Sequence, residues 1–446
     1  MKFDLKQKRA LIAFVLALIS VVSLAVPVFA ESDVFEDEPR IDRCAAAYLY
    51  NFENEEVLFE YNPSLEVNPA STVKLMTAIV IFDEYKDALD TEITVTQSML
   101  NEVSGNKIGF YVGEIVTVEQ MLNCMLINSA NDAAIILAQA TAGDTKSFVR
   151  LMNEKAVLLG AHNTYYTNPT GMYDSAMVTT ARDTALIAKY AYSLKGLIEI
   201  TATPKYVMAA TNMSDFRSIY NRNGLVSRYY VGEYFYSRAL GMNAGATSQG
   251  NYSVCGVAED EEQGLTYLAV VLGAEEDEET GDIYSYLNAI NMFDWAFESY
   301  GMRTVLPASR VICEIPVNLS ATLDYVTLVP AEDITVFLPM AVDITKDLRC
   351  SYNTYADSLD APIESGDEAG TITVLYGDKI LGTCPLVTTS SITRSEFLSF
   401  LSKVKEFTSG RLFRGMIIAI VVLSVAYVLI KASVREKKLR RLGGRR

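Results

Sequence analysis

Histidine is almost missing from this chain: its 446 residues include one, His162, and a single tryptophan. One imidazole excludes a His-rich zinc site, and Ser-His-Asp or Cys-His catalysis would have to run through His162. The six cysteines, Cys44, Cys124, Cys255, Cys313, Cys350 and Cys384, show no metal-ligand spacing, so no metal or other cofactor is expected. Positive charge is also scarce. With 38 Lys and Arg against 55 Asp and Glu, the formal charge is −17. That argues against a nucleic-acid partner, because phosphates would find little to neutralise them. For a nucleophilic enzyme made from this sequence, a base other than histidine is the expectation.

The basic residues that exist are gathered at the two ends. Lys2, Lys6, Lys8 and Arg9 precede an apolar run from Ala10 to Leu24 and then Pro27-Val28-Phe29-Ala30, as in a secretory signal peptide spanning residues 1–30. An uncleaved anchor helix is the alternative. Near the other end, Gly415 to Ile430 is an unbroken apolar stretch, followed by Lys431, Arg435, Lys437, Lys438, Arg440, Arg441, Arg445 and Arg446. We expect a stalk at 391–411, a membrane anchor at 412–431 and a cytoplasmic basic tail at 432–446, with the bulk of the protein outside. With +3 in residues 1–30 and +9 in residues 411–446, the exported body must carry −29. In an exported chain the even cysteine count allows disulfides. Cys124 and Cys255, however, sit in apolar runs that read as buried thiols.

Hydrophobic periodicity divides the body in two. In residues 31–300, Ala45–Tyr50 and Val57–Tyr61 read as a β-hairpin. Pro69 opens a helix from Ser71 to Tyr85, and further helices are predicted at Val118–Ile127 and Asp132–Ala140. Thr180 and Asp183 look like a capping box for a helix at Ala181–Tyr192. Tyr252–Val257 and Leu265–Leu272 are strand-like, and Tyr284–Tyr300 looks helical. Strands at both sequence ends around a helical middle predict an α+β fold, an α/β sandwich with one antiparallel sheet. Residues 301–390 alternate in short runs such as Val311–Val317, Ile334–Leu338, Gly370–Tyr376 and Lys379–Leu386, which predicts a small all-β domain.

Chemistry concentrates at Ser71-Thr72-Val73-Lys74. Residues three apart share a helix face, so the Ser71 hydroxyl and the Lys74 amine can meet. A serine is a weak nucleophile until a base takes its proton, and a lysine kept neutral by burial can do so. Leu75, Met76, Ala78 and Ile79 supply the apolar bed. A Ser-x-x-Lys pair by itself is more often an N-cap serine beside a solvated lysine. Downstream, Ser129-Ala130-Asn131 places a second hydroxyl and an amide between two predicted helices.

Together these motifs resemble the low-molecular-weight penicillin-binding proteins, which are serine-type D-alanyl-D-alanine carboxypeptidases. Pro69 to Thr77 is similar to the family's nucleophile box and Asn128 to Ala134 to its second box. Asn168-Pro169-Thr170-Gly171 with Thr179 to Asp183 resembles the segment that follows, and Asp360 to Leu386 the C-terminal β-domain. The third box departs: where the family has Lys-Thr-Gly, this chain has Asn243-Ala244-Gly245, and Tyr165 stands where histidine is common. The resemblance implies a serine β-lactamase/penicillin-binding-type fold that trims peptidoglycan stem peptides and takes β-lactams as covalent ligands. By it, Ser71, Lys74 and Ser129 are catalytic, and Asn131, Asn243, Gly245 and Ala246 bind substrate. The oxyanion hole would be the backbone N–H groups of Ser71 and Ala246. Arg238, five residues before Asn243, is the candidate replacement for the missing cation. The alternative is a catalytically silent module that binds wall peptide or another envelope protein.

Overall fold

The computed structural model describes residues 38–247 and 251–443, side chains of 436–443 excepted. The expected leader at 1–30 and the end of the basic tail lie outside the described residues. By contacts the chain divides into two compact units. One is the chain up to Gly301 with Pro339–Ala341, and the other is Met302–Leu338 with Val342 onward.

The first unit is built on a five-stranded antiparallel sheet. Its strands are β1 (Ala46–Asn51), β2 (Glu56–Tyr61), β3 (Ala239–Ala246), β4 (Tyr252–Asp260) and β5 (Leu265–Ala274), in the order β2-β1-β5-β4-β3. β5 is buried at nearly every position because both faces of the sheet are covered. Helices Ala181–Ser193 and Tyr284–Ser299 pack against it. β3 has β4 as its one sheet neighbour, so its other edge is open to whatever lies beside it.

The helical layer surrounds α1 (Val73–Tyr85), in which every residue from Val73 to Ile81 is buried. A helix apolar all round belongs in a core, and α2 (Val118–Asn128), α3 (Asn131–Ala142) and α4 (Thr145–Leu158) enclose it. The sequence reading found α1, α2 and α3 within two residues of their ends but passed over α4. Thr180 caps its helix as expected by accepting the Asp183 N–H at 3.1 Å. The box is only half made, because the Asp183 carboxylate instead accepts from Asn163 N–H (2.7 Å) and Thr164 Oγ1 (2.9 Å).

The second unit holds a six-stranded sheet from Cys313–Asn318 to Lys379–Thr388, packed over Ile315, Leu328, Ile372, Val374 and Leu386. Helix Glu396–Ser409 follows, inside the expected stalk, and Phe397, Phe400, Leu401, Val404 and Phe407 are exposed on it at helical spacing. Helix Arg411–Gly443 contains, at Arg411–Arg435, one stretch long and apolar enough to cross a membrane. All six cysteines are free thiols.

Candidate active site

Ser71 lies on a tight turn, Ala70–Thr72, that runs directly into α1. Ala70 holds φ +52°, a left-handed conformation that costs a non-glycine residue about 1–3 kcal/mol. The turn Asn168–Gly171 is packed against it. Asn168 Oδ1 accepts from Thr170 N–H (3.1 Å) and Gly171 N–H (2.9 Å), and Thr77 Oγ1 on α1 donates to Pro169 O at 2.7 Å. Gly171 has φ +78°, and a Cβ there would fall 2.1 Å from the Ala70 carbonyl oxygen, so no other residue allows this approach.

One helical step from Ser71 brings Lys74 Nζ to 3.4 Å from the Ser71 hydroxyl. Nζ also donates a hydrogen bond to the Thr170 carbonyl. Lys74 is completely buried. Burial, reinforced by the Arg222 guanidinium, pulls its pKa from 10.5 down to about 7. Much of the amine is therefore neutral near neutral pH, with a lone pair available to Ser71.

The second box sits where α2 gives way to α3. Ser129 is the C-cap of α2 at φ +59°, a position usually taken by glycine. The reversal exposes its side chain to the same cleft as Ser71. Asn131 lines that cleft too, and its Nδ2 donates to Ser104 O at 2.7 Å. Asn106 Nδ2 donates to Asn128 O at 2.6 Å, and its carbonyl accepts the Asn131 N–H at 2.8 Å. The Asp132 carboxylate accepts from Ile108 N–H and Gly109 N–H, which holds the adjoining loop in place.

β3 forms the opposite wall. A Cβ at Gly245 would lie 2.3 Å from Ser71 Cβ, so only glycine lets the strand pass this close to the nucleophile. Ala244, Gly245, Ala246 and Thr247 line the cleft. Asn243 does not. It is buried at 3% exposure, on the same strand face as Gly245 but two residues farther along, and its Nδ2 has no hydrogen-bond partner among the described residues.

The third box offers no cation, and Arg238 and Arg222 lie differently with respect to the cleft. Arg238 is committed to Asp260 at 3.0 Å and to the Phe297 ring, away from the cleft. Arg222 is the residue that lines it. Its N–H donates to Ile127 O at 2.9 Å, which ties it to the last turn of α2 beside Ser129. Asn221 fixes the approach by donating to Thr201 O and Thr203 O at 3.0 Å each. Sequence reasoning missed Arg222 because its loop carries no hydrophobic period and no spacing to Ser71 or Ser129 that would mark it. His162 is exposed and is not among the residues lining the cleft.

Ser71, Ser129, Asn131, Gly245 and Ala246 thus meet in one cleft, with Lys74 buried beneath Ser71 and Arg222 as a cation nearby. Comparison with known proteins gives a consistent picture. The sequence model described as D-alanyl-D-alanine carboxypeptidase matches residues 34–276, and that of the penicillin-binding protein 5 C-terminal domain matches 300–394. D-alanyl-D-alanine carboxypeptidase DacF of Bacillus subtilis is 25% identical over 401 residues, covering 89% of this chain and 97% of its own. DacC of Escherichia coli is 27% identical over 371 residues, covering 81% and 87%. Among solved structures, penicillin-binding protein 6B of Escherichia coli superposes with a TM-score of 0.57 at 20% identity, over 79% of this chain and 98% of that one. At that identity it speaks for the fold alone.

Proposed function

The chain belongs to the D-alanyl-D-alanine carboxypeptidase family, and from that premise we propose that it removes the terminal D-alanine of peptidoglycan stem peptides through an acyl-enzyme on Ser71. The observation that carries this reading is the buried Lys74 amine, with its depressed pKa, 3.4 Å from the Ser71 hydroxyl. Ser71 Oγ attacks the carbonyl carbon before the terminal D-alanine while its proton passes to Lys74 Nζ. The C–N bond then breaks, and Ser129 relays a proton to the departing amine. Water hydrolyses the Ser71 ester and restores the enzyme. The N–H groups of Ser71 and Ala246 stabilise the oxyanion, Asn131 holds the substrate amide, and Arg222 receives the terminal carboxylate. β-Lactams would acylate the same serine.

Asn243 and Ala244 raised the alternative of a silent binding module. Arg222 weakens it, because a cation is available to bind a carboxylate and to disfavour a protonated Lys74. The apolar helix Arg411–Arg435 would anchor the protein with the residues before it on the extracytoplasmic side. Incubating the detergent-solubilised protein with a D-Ala-D-Ala peptide and a fluorescent penicillin, beside Ser71→Ala, tests the reading. Labelling and D-alanine release that both require Ser71 are expected; a wild-type chain that shows neither would refute it.

A further inference from the structure

Arg222 is held by its main chain but not by any carboxylate. Its N–H is fixed by Ile127 O, and its carbonyl accepts the Tyr286 hydroxyl at 3.4 Å. The side chain forms no ion pair among the described residues, so a flexible arm with several rotamers would wander unless something fixes it. Among the described residues its head group lies over one aromatic ring, that of Tyr230, whose centroid is 4.5 Å from the guanidinium carbon. Tyr230 lines the same cleft as Ser71 and Ser129.

The loop around Tyr230 is clamped on both sides. Tyr229 packs on Tyr220 with ring centroids 4.8 Å apart. Tyr234 stacks on Tyr286 at 5.0 Å, and its hydroxyl accepts the Ile283 N–H at 2.8 Å. Gly224 lets this loop close down, since a Cβ there would meet Val231 at 2.7 Å. The Tyr230 hydroxyl has no hydrogen-bond partner among the described residues and the side chain is half exposed, so what it offers is the face of its ring.

We propose that Tyr230 is a positioning residue, whose ring face holds the Arg222 guanidinium over the cleft in readiness for the substrate carboxylate. The proposal rests on the reading of Arg222 as the carboxylate-binding cation. In full-length detergent-solubilised protein labelled with nitrogen-15 arginine, the Arg222 Nε–Hε resonance, assigned by its loss in Arg222→Lys, should carry a ring-current shift. That shift should vanish in Tyr230→Ala and survive in Tyr230→Phe. With a D-Ala-D-Ala peptide, Tyr230→Ala should raise KM about two- to fivefold with little change in kcat, the range of an exposed cation–π contact. Tyr230→Phe should restore it, and Tyr230→Ala should add nothing in an Arg222→Gln background. A resonance that does not move in Tyr230→Ala overturns the proposal. So does a KM that fails to rise, or an equal loss in Tyr230→Phe. If the wild-type chain cleaves no peptide, the carboxypeptidase reading fails instead, and the resonance still decides whether Tyr230 places Arg222.

Discussion

Replacing Arg222 by glutamine removes its charge while keeping a hydrogen-bonding side chain of related length. Two losses are expected together. A hydrogen bond to a charged group is worth about 1.5–3 kcal/mol, so kcat/KM toward a D-Ala-D-Ala peptide should fall roughly ten- to a hundredfold. The second loss falls on the base. Burial first and the Arg222 cation second lower the Lys74 pKa to about 7, and the neutral amine is the active form. Without the cation the protonated form is less disfavoured, so the pKa rises and the acid limb of the kcat/KM–pH profile moves to higher pH. Part of the activity should then return on raising the pH. Arg238→Gln is the control, because Arg238 pairs with Asp260 outside the cleft and away from Lys74; whatever it costs in stability, the acid limb of its profile should stay where the wild type has it. An Arg222→Gln enzyme with an unmoved acid limb and an unchanged kcat/KM would refute the assignment of the cation.

Two further outcomes follow from the same geometry. Gly245→Ala would put a methyl 2.3 Å from Ser71 Cβ, and relieving it should cost about 1–3 kcal/mol. Penicillin labelling of Ser71 should slow at least tenfold; labelling at the wild-type rate would show that β3 does not press on the nucleophile. Lys74 also makes stability depend on pH. Its folded pKa of about 7 lies below the ordinary 10.5, so between those values the unfolded chain binds a proton that the folded chain does not. Stability must therefore rise with pH across that window and level off above it. Lys74→Met should flatten the dependence in urea melts from pH 7 to 9, and an equal slope in both proteins would contradict a neutral buried Lys74.

The local parts of this protein were legible from residues alone. Ser71 and Lys74 stand three apart after Pro69, and the apolar run that follows reads as a helix, so the pairing of hydroxyl and amine was visible in one segment, while the burial of Lys74 was not fixed by the tetrapeptide alone. Ser129 and Asn131 were legible at the junction of two helices because polar residues interrupt two apolar periods there, and the structure makes Asn131 the first residue of α3. Asp183 was misread because the residue that completes a capping box in sequence has, in the fold, better partners in Asn163 and Thr164.

The sequence by itself carried the change from helical to alternating periodicity near residue 300, the Ser-x-x-Lys spacing and the polar break at Ser129-Ala130-Asn131, while the gap at Asn243 showed only through the family resemblance. These are local or compositional properties, and neighbouring residues suffice to express them. The tertiary structure decided which cation reaches the cleft. Arg238 is nearer in sequence, but Asp260 and Phe297 hold it elsewhere. Arg222, 148 residues after Lys74, is carried to the cleft by a main-chain hydrogen bond to the end of α2 and lies against Tyr230 there. Electrostatic influence falls with distance through space and takes no account of distance along the chain. Arg222 therefore became a candidate only when the fold brought α2 and the Asn221–Asn223 loop together.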